Sequence, residues 1–266
     1  MESMAGFLRV ALVQIDIFWL DIDANLGCLE EYFYDKVVGG GFDIVVLPEM
    51  FNTGFGKAAA GYAEFMNGKT HKWLKNMAKL SGALILGSIA IRDNGLIFNR
   101  LLCVYPNGDT LFYDKKHLFS YGDEHVVFTS GKSSLVLHYK GFVIKPLICY
   151  DLRFPVWSRN TNKDPFDALI YVANWPNSRQ FAWEQLLKAR AIENQCYVLG
   201  CNRTGTDGNN LIYKGGSTII DYQGKYLASP KEEEALIVAE LSKSSLHRFR
   251  SDFPFLNDSD EFQFIS

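Results

Sequence analysis

No apolar run in this chain of 266 residues approaches the roughly 18 to 20 needed to cross a bilayer. The longest, at 83–91, is too short, so no transmembrane helix is expected. Cysteine is scarce. The five present, Cys28, Cys103, Cys149, Cys196 and Cys201, are odd in number, and none forms a C-x-x-C pair or stands near a histidine at zinc-ligand spacing. Neither a disulfide framework nor a structural metal follows. Charge of one sign is not in excess: 27 Lys and Arg stand against 30 Asp and Glu, a net of −3. Lys115, Lys116 and His117 form the single compact basic cluster, and nucleic acid is not expected as a partner. Met1 to Arg9 carries Glu2 and no basic segment followed by an apolar one, so it does not read as a secretory leader and the cytoplasm is the expected compartment.

What is present is a composition that folds: 48% hydrophobic and 21% charged residues bury enough apolar surface to offset ordering entropy. No Pro/Ser-rich linker or low-complexity tract divides it, and residues 1–266 read as one domain. The aromatic, finally acidic stretch 242–266 is expected as a C-terminal tail packing at a subunit interface.

Periodicity predicts strands at 8–15 and 43–47 separated by a helix at 21–38, then a helix at 70–80 stopped by Gly82. Residues 83–91, 96–105 and 110–113 read as a meander around Asp93-Asn94-Gly95 and Asn107-Gly108-Asp109. A hairpin at 134–139 and 142–148 turns at Gly141, and 152–159 reads as a short helix. Then come a strand at 167–173, a helix at 181–195 with Ala182, Leu186, Ala189 and Ile192 on one face, and strands at 196–201, 216–221 and 236–241. Strands alternating with helices and interrupted by hairpins make an α/β fold with mixed sheets under outer helices.

Three strand ends carry chemistry. Cys149 closes the strand at 142–148 and precedes Tyr150-Asp151-Leu152-Arg153-Phe154-Pro155. A thiol at a sharp strand-to-helix turn stands above the sheet beside backbone N–H groups that stabilise a thiolate or an oxyanion, although a lone cysteine is more often a small buried hydrophobe. Glu49 ends the strand at 43–47 behind Pro48; a carboxylate among apolar residues is costly to bury without a partner and is suited to take a thiol proton, or else it is a solvated loop acid. Lys115 follows the strand at 110–113, where its ammonium either pairs with Glu49 and stabilises a developing negative charge or belongs to a wet surface cluster.

Together, Pro48-Glu49-Met50-Phe51, Asp114-Lys115-Lys116-His117-Leu118-Phe119 and Cys149-Tyr150-Asp151-Leu152-Arg153-Phe154-Pro155 resemble in order and spacing the Glu-Lys-Cys motifs of the nitrilase superfamily of carbon-nitrogen hydrolases. Asn174-Trp175-Pro176, Ala189-Arg190-Ala191-Ile192-Glu193-Asn194 and Gly200-Cys201-Asn202-Arg203-Thr204-Gly205 extend the resemblance over about residues 8–241. It implies a four-layer αββα sandwich, no metal or organic cofactor, and a homodimer. It implies Glu49 as general base, Lys115 as electrostatic stabiliser and Cys149 as nucleophile, with the backbone N–H of Tyr150 completing the oxyanion site and Glu124 positioning the lysine. His117, His125, Asp151 and Arg153 are expected to be structural, the last two pairing to fix the turn after Cys149. The motifs look most like the ω-amidase branch, which deamidates small ω-amido acids such as 2-oxoglutaramate; N-carbamoyl hydrolase, nitrilase and a catalytically silent binding protein are the alternatives. For such a substrate Arg179 is the candidate partner of the remote carboxylate, and Phe55 and Trp175 the candidate apolar walls.

Overall fold

The computed structural model describes residues 6–260 and 262. The chain runs β1 (Phe7–Gln14), α1 (Ile22–Tyr32), β2 (Ile44–Val46), α2 (Lys69–Ser81), β3 (Leu84–Asp93), β4 (Leu96–Val104), β5 (Thr110–Asp114) and the single turn α3 (Glu124–Val127). It continues through β6 (Leu137–Tyr139), β7 (Phe142–Ile148), β8 (Ala168–Val172), α4 (Gln180–Asn194), β9 (Tyr197–Cys201), β10 (Thr204–Thr206) and β11 (Ile212–Lys214). The last elements are β12 (Thr218–Ile220), β13 (Tyr226–Ala228), β14 (Ala235–Ser242) and α5 (Lys243–Asp252).

Two six-stranded sheets result, ordered β14-β1-β2-β3-β4-β5 and β13-β12-β9-β8-β7-β6. Strand alternation joins them. In β1, Val10 and Leu12 share one buried cluster with Ile144 and Leu199 of the other sheet, whereas Ala11 and Val13 pack with Leu26, Leu29, Trp73 and Leu74 of α1 and α2. Beyond the second sheet lies α4; a side chain at Gly200 of β9 would collide with its Leu187 and Trp183. Helices, two sheets and a helix therefore stack as the four-layer αββα sandwich.

The parallel strands β1, β2 and β3 form the middle of one sheet and β7, β8 and β9 the middle of the other. Two antiparallel steps bring β5 back into the direction of β3. Loops leaving the carboxyl ends of such strands are where α/β proteins place their sites. Glu49, Lys115, Cys149 and Asn174 all lie in loops of this kind.

Two expectations, the buried face of α4 and the helix at 152–159, need correction. The buried face of α4 is Trp183, Leu187, Arg190, Ala191 and Asn194, one position on from the face expected, and Ile192 is about half exposed. Residues 152–159 form no α-helix: a 3₁₀ turn at Cys149–Arg153 ends as Phe154 takes φ −114° and ψ 89°, the extended direction imposed by Pro155. The predicted helix at 21–38 is α1 prolonged by a π turn, Phe33–Val37. The stretch expected as a tail begins as α5 and is tied to its own chain: Arg250 donates to the carbonyls of Phe166 (2.6 Å) and Gln195 (2.9 Å), and Leu246 and Leu256 are buried. Glu261 and 263–266 lie outside the described residues.

Candidate active site

Cys149 starts its 3₁₀ turn at φ +40°, a left-handed conformation that costs a non-glycine residue about 1–3 kcal/mol and lifts the side chain off the strand line. Asp151, fully buried, holds this turn. Its Oδ2 accepts from Ile148 N (3.1 Å) and Tyr113 OH (2.8 Å), and its Oδ1 from His117 N (3.1 Å) and Nδ1 (2.7 Å). The same carboxylate thus fastens the cysteine turn to the loop that carries Lys115. His117, stacked on Phe154 at 3.8 Å, belongs to this clamp. The expected Asp151–Arg153 pair does not form, because Asp151 is already used by these donors; the Arg153 guanidinium instead lies 4.8 Å above the Trp175 ring.

Glu49 is fully buried, and the residue after it, Met50, also takes a positive φ. Oε1 of Glu49 accepts from Lys115 Nζ (2.8 Å) and Asn99 Nδ2 (2.8 Å), and Oε2 accepts from Asn174 N (2.9 Å). Asn174 Nδ2 also donates to the Glu49 carbonyl, so two hydrogen bonds from Asn174 tie the loop after β8 to the loop after β2. On its other side Lys115 Nζ meets Glu124 Oε1 (3.1 Å) and Oε2 (2.9 Å), and Phe119 N donates to Oε2 (2.6 Å). The ring of Phe55 lies 4.8 Å from the ammonium.

Charge explains the protonation states. Burial alone would push the Lys115 ammonium down, but the Glu124 and Glu49 carboxylates outweigh it and hold the group above the ordinary lysine value. Burial and the nearby Glu49 charge raise Glu124, against the pull of Lys115. The Cys149 thiol is pushed well above its usual value by burial first and by Glu49 second, Lys115 offsetting part of this. Two carboxylates already share one ammonium, so a thiolate would add a third negative charge; the thiol keeps its proton until a base removes it.

Cys149 and Lys115 open onto a cavity of about 490 Å³ whose lining includes Phe55, Tyr150, Trp175 and Arg179. Every residue expected at the site is thus gathered around one cavity or directly behind it. Sequence reasoning missed Asn99, whose amide also donates to Glu124 Oε1 (3.1 Å) and so ties the two carboxylates together. Its signal was the polar pair Asn99-Arg100 inside the otherwise apolar stretch 96–105. It also missed the cavity-facing roles of Arg153 and Trp19. Among the described residues, no cluster of His, Cys, Asp and Glu could hold a metal ion.

Residues 9–251 match the carbon-nitrogen hydrolase family. Omega-amidase YafV of Escherichia coli K12 is 44% identical over 96% of this chain and 98% of its own length. A 2-oxoglutaramate amidase of Bacillus subtilis 168 is 34% identical over 94% of this chain and 96% of that protein. Among solved structures, XC1258 of Xanthomonas campestris, a CN-hydrolase superfamily protein with an arsenic adduct in its active site, superposes with a TM-score of 0.94 at 40% identity, covering 97% of this chain and 99% of that one. Site, fold and similarity agree, and the chain belongs to the carbon-nitrogen hydrolase family.

Proposed function

We propose that this protein is an ω-amidase, hydrolysing the terminal amide of small ω-amido acids such as 2-oxoglutaramate to carboxylate and ammonia. The observation that carries the reading is a thiol beside a Glu49–Lys115–Glu124 ion cluster, at the base of a cavity that also presents two arginines. Arg179 lies over Phe119 at 5.2 Å and Arg153 over Trp175, and neither guanidinium has an ion-pair partner among the described residues. A substrate carboxylate supplies the missing anion. The names of the relatives support the same substrate class.

In this mechanism Glu49 takes the Cys149 proton as sulfur attacks the amide carbon. Lys115 and the backbone N–H of Tyr150 stabilise the oxyanion. Collapse expels ammonia, which receives the proton from Glu49, and leaves an acyl thioester. Water then attacks the thioester, giving its proton to Glu49, and the carboxylate leaves as the thiol is restored. Glu124 holds Lys115 in place. The chemistry draws on these side chains and one water, and we assign no cofactor.

The same reading makes the chain a cytoplasmic homodimer. The five unpaired thiols fit a reducing compartment. The Tyr222–Phe249–Phe253–Phe255 ring chain, with Phe253 58% exposed, fits a face covered by a second copy; light scattering giving a monomer mass would remove the dimer. For the activity, ammonia release is compared among ω-amides, N-carbamoyl amino acids and nitriles. Preference for 2-oxoglutaramate supports the proposal, and preference for a carbamoyl compound or nitrile replaces it.

A further inference from the structure

The cavity has an apolar wall that the mechanism does not use. Trp19, between β1 and α1, lines it together with Leu211 and Tyr213. Glycines from two other loops hold the indole. A methyl group at Gly54 would sit 3.0 Å from its Cε3, one at Gly56 would sit 2.9 Å from its Cη2, and one at Gly208 would overlap Cδ1 and Nε1. The surrounding backbone is equally fixed. Leu20 N donates to Thr53 O (2.9 Å), and Asn25 joins Phe18 to Asn52 through its side-chain amide. Arg203, wholly buried, donates to Asp16 Oδ1 (2.6 Å) and to the carbonyl of Ile17 (3.1 Å). An aromatic ring fixed on backbone in this way cannot swing aside for a bulkier ligand.

We infer that Trp19 is the specificity-determining residue for acyl length, restricting the site to ω-amides of short dicarboxylic acids. The inference rests on the amidase reading above. Since Glu49, Lys115 and Cys149 close the inner end, the acyl chain of a bound amide extends into the cavity, where the indole limits its room. A fixed apolar wall discriminates by methylene count, and one methylene changes kcat/KM by about 10- to 200-fold. The glycines follow from the same requirement: Gly54 and Gly56 leave no space on their side, so a methyl at Gly208 drives the ring toward the cavity.

The test measures kcat/KM for succinamate, glutaramate and adipamate, a series lengthened one methylene at a time. Wild type is expected to fall off at adipamate by about tenfold or more. In Trp19→Ala the adipamate-to-glutaramate ratio rises by at least about tenfold, and in Gly208→Ala the glutaramate-to-succinamate ratio falls. Thermal melting and the rate of Cys149 alkylation by iodoacetamide show that each variant is folded with its thiol in place. Should Trp19→Ala not fold, Trp19→Phe takes its place with the same direction of shift. Length profiles that stay parallel across the variants overturn the role of Trp19. A wild-type enzyme inactive on all three amides overturns the amidase reading instead.

Discussion

At the inner end of the cavity Lys115 sits between Glu49 and Glu124, all three side chains essentially without exposure. At the mouth Arg153 and Arg179 rest on aromatic faces without an ion-pair partner among the described residues, and Lys57 meets Asp123 at 2.8 Å with both side chains 53% exposed. An ion cluster in low dielectric is strong, costly to leave incomplete and sensitive to small displacements. A charge at a wet rim contributes little to stability and is available to a ligand. On the proposed mechanism the inner end controls the chemical step and the mouth controls which amide is bound.

Glu49→Gln should break that division most severely, since it removes the proposed base and leaves the Lys115 cluster one negative charge short. Lys115→Gln removes the proposed oxyanion partner and leaves two buried carboxylates facing each other. Each should lower kcat by at least about a hundredfold. Lys116→Gln, one residue along with its ammonium over the Trp157 ring, is the control in steady-state assays. A Lys116 effect equal to that of Lys115 would place the wrong lysine at the inner end.

Asn99→Ala tests whether the inner end is one unit. It deletes a donor shared by both carboxylates, and hydrogen bonds to ionised groups are worth about 1.5–3 kcal/mol, so kcat should fall by about tenfold or more. The sign of the pH effect is also fixed. Losing a donor disfavours the ionised carboxylate, raises its pKa and moves the acid limb of kcat/KM to higher pH. A fall in rate with an unmoved pH profile would make Asn99 a packing residue.

At the mouth a smaller and more selective effect is expected. Arg153→Met and Arg179→Met should each raise KM for 2-oxoglutaramate by about tenfold while changing hydrolysis of an uncharged amide little, because the lost contact is remote from the reacting carbon. Equal effects on the two substrates would show that the arginines support the loops rather than the ligand.

The same division decides what could be read before the fold was seen. Glu49, Lys115 and Cys149 each end a strand, and their order and spacing carry the family resemblance. The sandwich followed from that and from apolar strands such as β2 and β8. Arg153 was misplaced because sequence proximity to Asp151 suggested a pair, while two of the donors that occupy Asp151, Tyr113 and His117, come from β5 and the loop after it. Trp19 and Gly208 lie far apart in sequence and meet through tertiary packing. No periodicity marks such a contact. The face of α4 was read one position off because Arg190 and Asn194 are buried by hydrogen bonds, Arg190 to Leu152 O (2.6 Å) and Asn194 Nδ2 to Arg190 O (2.9 Å), and hydrophobic spacing does not register polar residues held inside.

The central claim is that the inner cluster activates Cys149 to form an acyl thioester. Mass spectrometry of intact protein, acid-quenched during turnover of 2-oxoglutaramate, tests it directly, with Cys149→Ala as the control. The account predicts an added mass equal to the substrate minus ammonia, mapped by digestion to Cys149 and absent from the alanine variant, which should also release no ammonia. An adduct on Cys103 or Cys196, or full turnover by Cys149→Ala, would contradict it.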